Sequence, residues 1–221
     1  MNRDWLALII SFVYVFAVIG AAEALRKWRG YSVDFTRKAI HIGVGMWSFG
    51  TVLLFERRAF AMIPPLVFVA INALSYWRGA FKAMETGEKG QLGTVYFPIS
   101  FAALVWLLWG QPALLVASLM PMTWGDALAA IVGRRIGRHP YTVGRNTRSL
   151  EGSLAMFLSA WVATLVPLLV LAPTPFSAPV AVAVAAATAL GATVVEAVSP
   201  WGIDNLTVPA VSALILVLAA A

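Results

Sequence analysis

One stretch of this chain concentrates residues that could do chemistry: GDALAAIVGRRIGRHPYTVGRNTRSLEGS, residues 125–153. Asp126 heads a run of small apolar residues. Arg134, Arg135, Arg138, Arg145 and Arg148 follow, broken by Gly137 and Gly144, and Glu151 stands near the end. Guanidinium forks match phosphate oxygens bidentately, and glycines let backbone N–H groups approach an anion. The cations of this loop are all arginine, and a carboxylate stands on each side. Those are the parts of a metal–polyphosphate site, in which arginines hold phosphate charge while Asp126 and Glu151 hold Mg²⁺. That ion takes one or two carboxylates plus substrate phosphates. Ser149 to Ser153 also opens a helix, whose amino end favours anions. The plain alternative is that the arginines are positive charge meeting anionic membrane lipid.

Outside the stretch, polar residues are few. Arg37, Lys38 and His41 form a second cluster, with Arg37 and His41 one helical turn apart; His41 reads as an interfacial polar contact and not as a base. Glu196, Asp204 and Asn205 flank a late apolar run, where an acid is placed to ligate metal or to accept the proton of an attacking hydroxyl. Asp126 lies about 12 Å from Arg134 at the helical rise per residue. A carboxylate at that depth in a membrane helix is costly and is a functional candidate by default, so it should face a wet cavity. Gly125, Ala129 and Gly133 recur at four-residue spacing, a pattern that lets helices approach closely.

The elements that must position these residues are apolar helices. Of 221 residues, 61% are hydrophobic and 12% charged, against about one quarter charged in soluble domains. The reading is a single domain, residues 1–221, all-α, an integral membrane protein with seven or eight spans. Candidate runs are about 5–22, 39–55, 59–77, 94–109, 112–133, 152–172, 179–198 and 207–221, with Pro64-Pro65 and Pro121 expected to kink or interrupt theirs. The first run is followed by Glu23-Ala-Leu-Arg-Lys and reads as a retained helix. No cysteine is present, which excludes disulfides and thiolate metal sites.

The net charge of +6 is assigned to basic loops on one membrane face, not to nucleic acid. Thirteen lysines and arginines fall in the segments 23–38, 78–93 and 134–151, and three (Arg3, Arg57, Arg58) on the other side. That asymmetry places the amino terminus outside and the chemistry on the cytoplasmic face. Phosphate-loop, dinucleotide, zinc-protease and nucleophile-elbow motifs are absent. A nucleotide would therefore be held by helix ends.

The segment GDALAAIVGRRIGRHPY…RSLEGSLAMF resembles the CTP-dependent polyprenol kinases, the group of dolichol kinase and phytol kinase. RKAIHIGVG, LGTVYFPIS and SPWGIDNLTVP are similar to segments of the phytol kinase branch. The resemblance covers blocks from about residue 37 to 210. It implies transfer of the CTP γ-phosphate to a lipid hydroxyl with Mg²⁺, and it points to Arg37, Lys38, Asp126, Gly133, Ser149, Glu151 and Gly152. The family's usual lysine before Ser-Leu-Glu-Gly is Arg148 here, which keeps the charge and changes its geometry.

The expected mechanism has Asp126 and Glu151 positioning Mg²⁺, Arg37, Lys38 and the 134–148 arginines neutralising phosphate charge, and Glu196 or Asp204 orienting the hydroxyl. A more distant similarity is to phosphatidate cytidylyltransferases, but their Ser-Pro-Lys-Thr and late paired aspartates are missing. A small membrane transporter is the non-enzyme alternative; it would more often show inverted repeats, and none is visible.

Overall fold

A computed structural model describes residues 2–78, 92–144 and 146–221. The first two helices start where a side chain takes up a free N–H group. Asn2 accepts from Asp4 N (3.2 Å) to open α1 (Arg3–Arg29), and Ser32 accepts from Phe35 N (3.2 Å) to open α2 (Val33–Leu54). Between them Gly30, at φ 66°, ends α1 in the left-handed conformation that glycine adopts without a Cβ penalty. The run holding Pro64-Pro65 is interrupted at Met62, just before the prolines. A single turn, α3 (Arg58–Ala61), precedes the break, and the prolines fall in the first turn of α4 (Ile63–Arg78), where missing N–H groups cost nothing.

After α5 (Gly93–Leu108) and α6 (Pro112–Met120), Pro121 begins a π-helical segment, Pro121–Asp126, which runs into α7 (Ala127–Ile136). Proline removes an interior N–H, and wide turns of this kind absorb the mismatch. The interruption expected at Pro121 is this widened turn, and Asp126 is its last residue.

The arginine stretch is more ordered than a loop. Strands β1 (Pro140–Val143) and β2 (Asn146–Ser149) form an antiparallel hairpin with Tyr141 opposite Arg148. Gly144, at φ 60°, supplies the positive φ that tight hairpin turns need. The chain ends in α8 (Leu150–Val170), α9 (Ala178–Val198) and α10 (Asp204–Ala220).

Every expected apolar run is helical. Among the described residues, five helices are long and apolar enough to cross a membrane: α1, the α3–α4 stretch Arg58–Trp77, the continuous stretch Pro112–Ile136, α8 and α9. The α5 and α10 helices are apolar but shorter, and α2 carries Asp34, Arg37 and Lys38 in its first two turns.

Packing follows composition. Leu114, Leu115, Val116 and Leu119 of α6 are wholly buried, as a helix apolar on all sides requires, and α2, α5, α8 and α10 surround it. On α9, Ala181, Ala185, Ala189 and Ala192 are likewise buried and let α8 and α10 approach closely. The outer surface keeps large apolar side chains such as Phe16, Leu107, Leu158, Leu190 and Leu218.

Candidate active site

The polar residues converge on a cavity of about 1090 Å³ between the ends of α2, α4, α7 and α8 and the α9–α10 turn. Its floor holds three buried acids, Asp126, Glu196 and Asp204, whose nearest carboxylate oxygens lie within 4.8 Å of one another. Each comes from a different helix end. Asp126 ends the π segment, and Glu196 lies in the last turn of α9. Asp204 begins α10 after a reversal in which Trp201 (φ 53°) and Gly202 (φ 80°) are both left-handed. A Cβ on Gly202 would lie 2.9 Å from Gly93 N, so this glycine is required twice. The Pro-Trp-Gly sequence was the available signal for that turn, and it brings Asp204 back over Glu196.

Three close acids need cations. Lys38 pairs with Asp126 in the protein interior, and Arg148 pairs with Glu196 at 2.9 Å. Asp204 accepts from Asn205 N (2.9 Å) and Asn205 Nδ2 (3.0 Å) and has no cationic partner among the described residues. Arg37 and His41 line the same cavity. The His41 Nε2 lies 3.0 Å from Met122 O and its ring packs on Phe97 at 4.4 Å. The reading of His41 as a polar contact agrees with this placement.

The hairpin forms one wall. Asn146 Nδ2 donates to Ala197 O (3.3 Å) and Ser199 O (3.0 Å), fastening β2 to the end of α9; sequence reasoning had passed over this asparagine. Ser149 caps α8, its Oγ accepting from Gly152 N at 3.1 Å, and both residues face the cavity. Gly133 faces it as well. A Cβ there would lie 3.2 Å from Ser149 Oγ and 3.6 Å from Gly152 Cα, so the small-residue stripe serves the contact of α7 with α8. Gly125 does the same further along, against Met156 and Ala160.

Other expected residues separate. Glu151 does not join the acids: its Oε1 lies 2.6 Å from His139 Nδ1, and it is not among the cavity-lining residues. Arg134 lines the rim and pairs with Asp34 at 2.8 Å. Arg135 and Arg138 are exposed and line no part of the cavity. Arg145 lies outside the described residues.

Hard oxygen donors suit Mg²⁺, and three carboxylates with oxygens within 4.8 Å of one another can close on one ion. Asp126, Glu196 and Asp204 therefore fit the ion better than Asp126 with Glu151.

Fold and cavity together define a helical protein of membrane type built around a buried carboxylate–cation site. The chain belongs to the phytol kinase family. It is 35% identical over 214 residues to a phytol kinase of Synechocystis, covering 96% of this chain and 90% of the relative. A probable phytol kinase 1, chloroplastic, of Oryza sativa is 28% identical over 94% of this chain and 71% of its own. A chloroplastic farnesol kinase of Arabidopsis thaliana is 23% identical over 73% of this chain and 56% of its own. No family model matches the chain, and no solved structure does.

Proposed function

We propose that this chain is a CTP-dependent lipid-alcohol kinase that acts on an isoprenoid alcohol, crosses the membrane several times and keeps its cavity on the cytoplasmic face. The observation that carries the reading is the convergence of Asp126, Glu196 and Asp204, two of them already paired with Lys38 and Arg148, in one cavity. Phosphoryl transfer is mostly positioning and electrostatic stabilisation, and this cavity offers both signs of charge at close range. The names of the relatives, phytol kinase and farnesol kinase, support a lipid alcohol as acceptor. Sidedness rests on the thirteen-to-three distribution of basic residues.

In this reading the hydroxyl oxygen attacks the γ-phosphorus, the bond to the β-phosphate oxygen breaks, and CDP leaves. The hydroxyl proton passes to Glu196 or Asp204, on a carboxylate oxygen that a metal ion would leave free. Lys38, Arg37 and Arg148 bind the phosphate oxygens. Mg²⁺, held by Asp126, Glu196 and Asp204, would supply further charge neutralisation on the triphosphate.

Purified protein given CTP labelled at the γ- or the α-phosphate, with phytol, geranylgeraniol or a longer polyprenol, tests this. Label should move from the γ-position only, giving a lipid monophosphate and CDP. Label from the α-position in a lipid made from phosphatidic acid would mean cytidylyl transfer. CTP left intact with every lipid would favour a transporter.

A further inference from the structure

Beside the polar cavity lies a second, apolar one of about 100 Å³ between α1, α2, α4 and α5. Each helix contributes a stripe at helical spacing: Val15 and Ile19; Ile40 and Val44; Pro65 and Phe68; Phe97 and Phe101. Ile19 and Phe68 are only partly buried, so the groove reaches the apolar outer surface, where Phe68 packs on the exposed Phe16 at 5.9 Å. At its other end it meets the polar cavity, for Arg37, His41 and Thr94 line both.

Two polar atoms in this groove are buried without a hydrogen-bond partner among the described residues: Arg37 Nε, a donor, and Asn72 Oδ1, an acceptor. Asn72 Nδ2 is already used, donating to Thr94 O at 2.7 Å. A buried polar group left unpaired costs free energy and calls for an explanation. A hydroxyl offers what each atom lacks, an oxygen that can accept from Arg37 Nε and a hydrogen that can be donated to Asn72 Oδ1.

Resting on the kinase reading, we infer that this groove holds the hydroxyl-bearing end of the isoprenoid alcohol, about one isoprene unit, with the rest of the chain in the bilayer. The size decides how much enters. A cavity of about 150 Å³ takes a six-carbon, benzene-sized molecule, so this smaller one takes about four or five carbons and not a whole phytyl chain. The hydroxyl then stands at Arg37, where the two cavities join, and turns from Asn72 towards the carboxylates for transfer. The protein accordingly reads branching near the hydroxyl and is indifferent to chain length beyond it.

Photo-crosslinking of the wild-type protein tests the groove without requiring turnover, using geranylgeraniol with a diazirine in its first isoprene unit. Label should fall in the peptides containing Phe68–Asn72 or Phe97–Phe101 and disappear with excess geranylgeraniol. Label confined to other helices, or label that excess alcohol does not compete, would overturn the assignment. In a turnover assay, Asn72→Leu should raise KM for the alcohol about tenfold and leave KM for the nucleotide unchanged. An equal rise in both, or in neither, would remove Asn72 from alcohol binding. Absence of phosphoryl transfer in the wild type would defeat the kinase reading, while the crosslinking result would still locate the alcohol.

Discussion

Lys38 and Asp126, eighty-eight residues apart in sequence, form an ion pair in which both side chains are nearly inaccessible, at 12% and 8% exposure. The pair joins the second turn of α2 to the end of the π segment and sets one side of the cavity. Burying two charges is repaid only where the geometry is good and the remaining polar atoms are used. A triphosphate with its metal ion would use them.

The first prediction concerns that carboxylate. Asp126→Asn keeps the shape and removes the charge that Lys38 and a metal ion both need. Turnover should fall by more than about a hundredfold, or ~2.7 kcal/mol, while the protein still elutes as a folded species in detergent. Near-normal turnover would take Asp126 out of the mechanism.

Metal dependence has a readout apart from activity. Because ions that bind only the folded state raise apparent stability, Mg²⁺ added after chelation should raise the melting temperature of the wild type and restore transfer. The variant Asp204→Asn should show a smaller shift, having lost one of three ligands. Glu151→Gln, altering a residue paired with His139 away from the acids, should keep the full shift. An undiminished shift in Asp204→Asn would move the ion elsewhere.

Arg148 and Glu196 should be energetically coupled. Arg148→Ala leaves a buried carboxylate unpaired and should destabilise by about 1–3 kcal/mol, since the guanidinium is one-third exposed and partly screened. Adding Glu196→Gln should recover part of that stability, because the second change removes the stranded charge. Activity should not return. Simple additivity in thermal melts of the four proteins would mean that the pair is not coupled.

Sidedness is open to direct chemistry because the chain has no cysteine of its own. Thr142 on β1 and Pro175 beyond α8 are both exposed and lie at opposite ends of α8. In intact cells, Pro175→Cys should react with an impermeant thiol reagent and Thr142→Cys should react only after permeabilisation. The reverse pattern would place the cavity away from the cytoplasmic nucleotide pool.

The sequence by itself determined the local features. Long apolar runs dictate helices, Ser149 ahead of Leu-Glu-Gly marks a helix start, and Pro121 forces an irregular turn beside Asp126; all are set by residues within a few positions of one another. It also marked Arg37, Lys38, Asp126 and Arg148 by resemblance and by the rarity of charge in such a chain. Tertiary structure alone decided which acids meet. Glu151 is nearer to Asp126 in sequence than Glu196 or Asp204, yet the α7–α8 contact through Gly133 and Gly152 leaves it outside the cavity, against His139. Glu196 and Asp204 arrive because the alanine stripe of α9 packs closely on its neighbours and two left-handed residues turn the chain back. Hairpin pairing sorted the arginines in the same way, holding Arg148 against Glu196 while Arg135 and Arg138, before it, face outward. Spacing along a chain fixes which face of its own helix a residue occupies. Which faces meet depends on packing between helices far apart in sequence, and no local pattern encodes it.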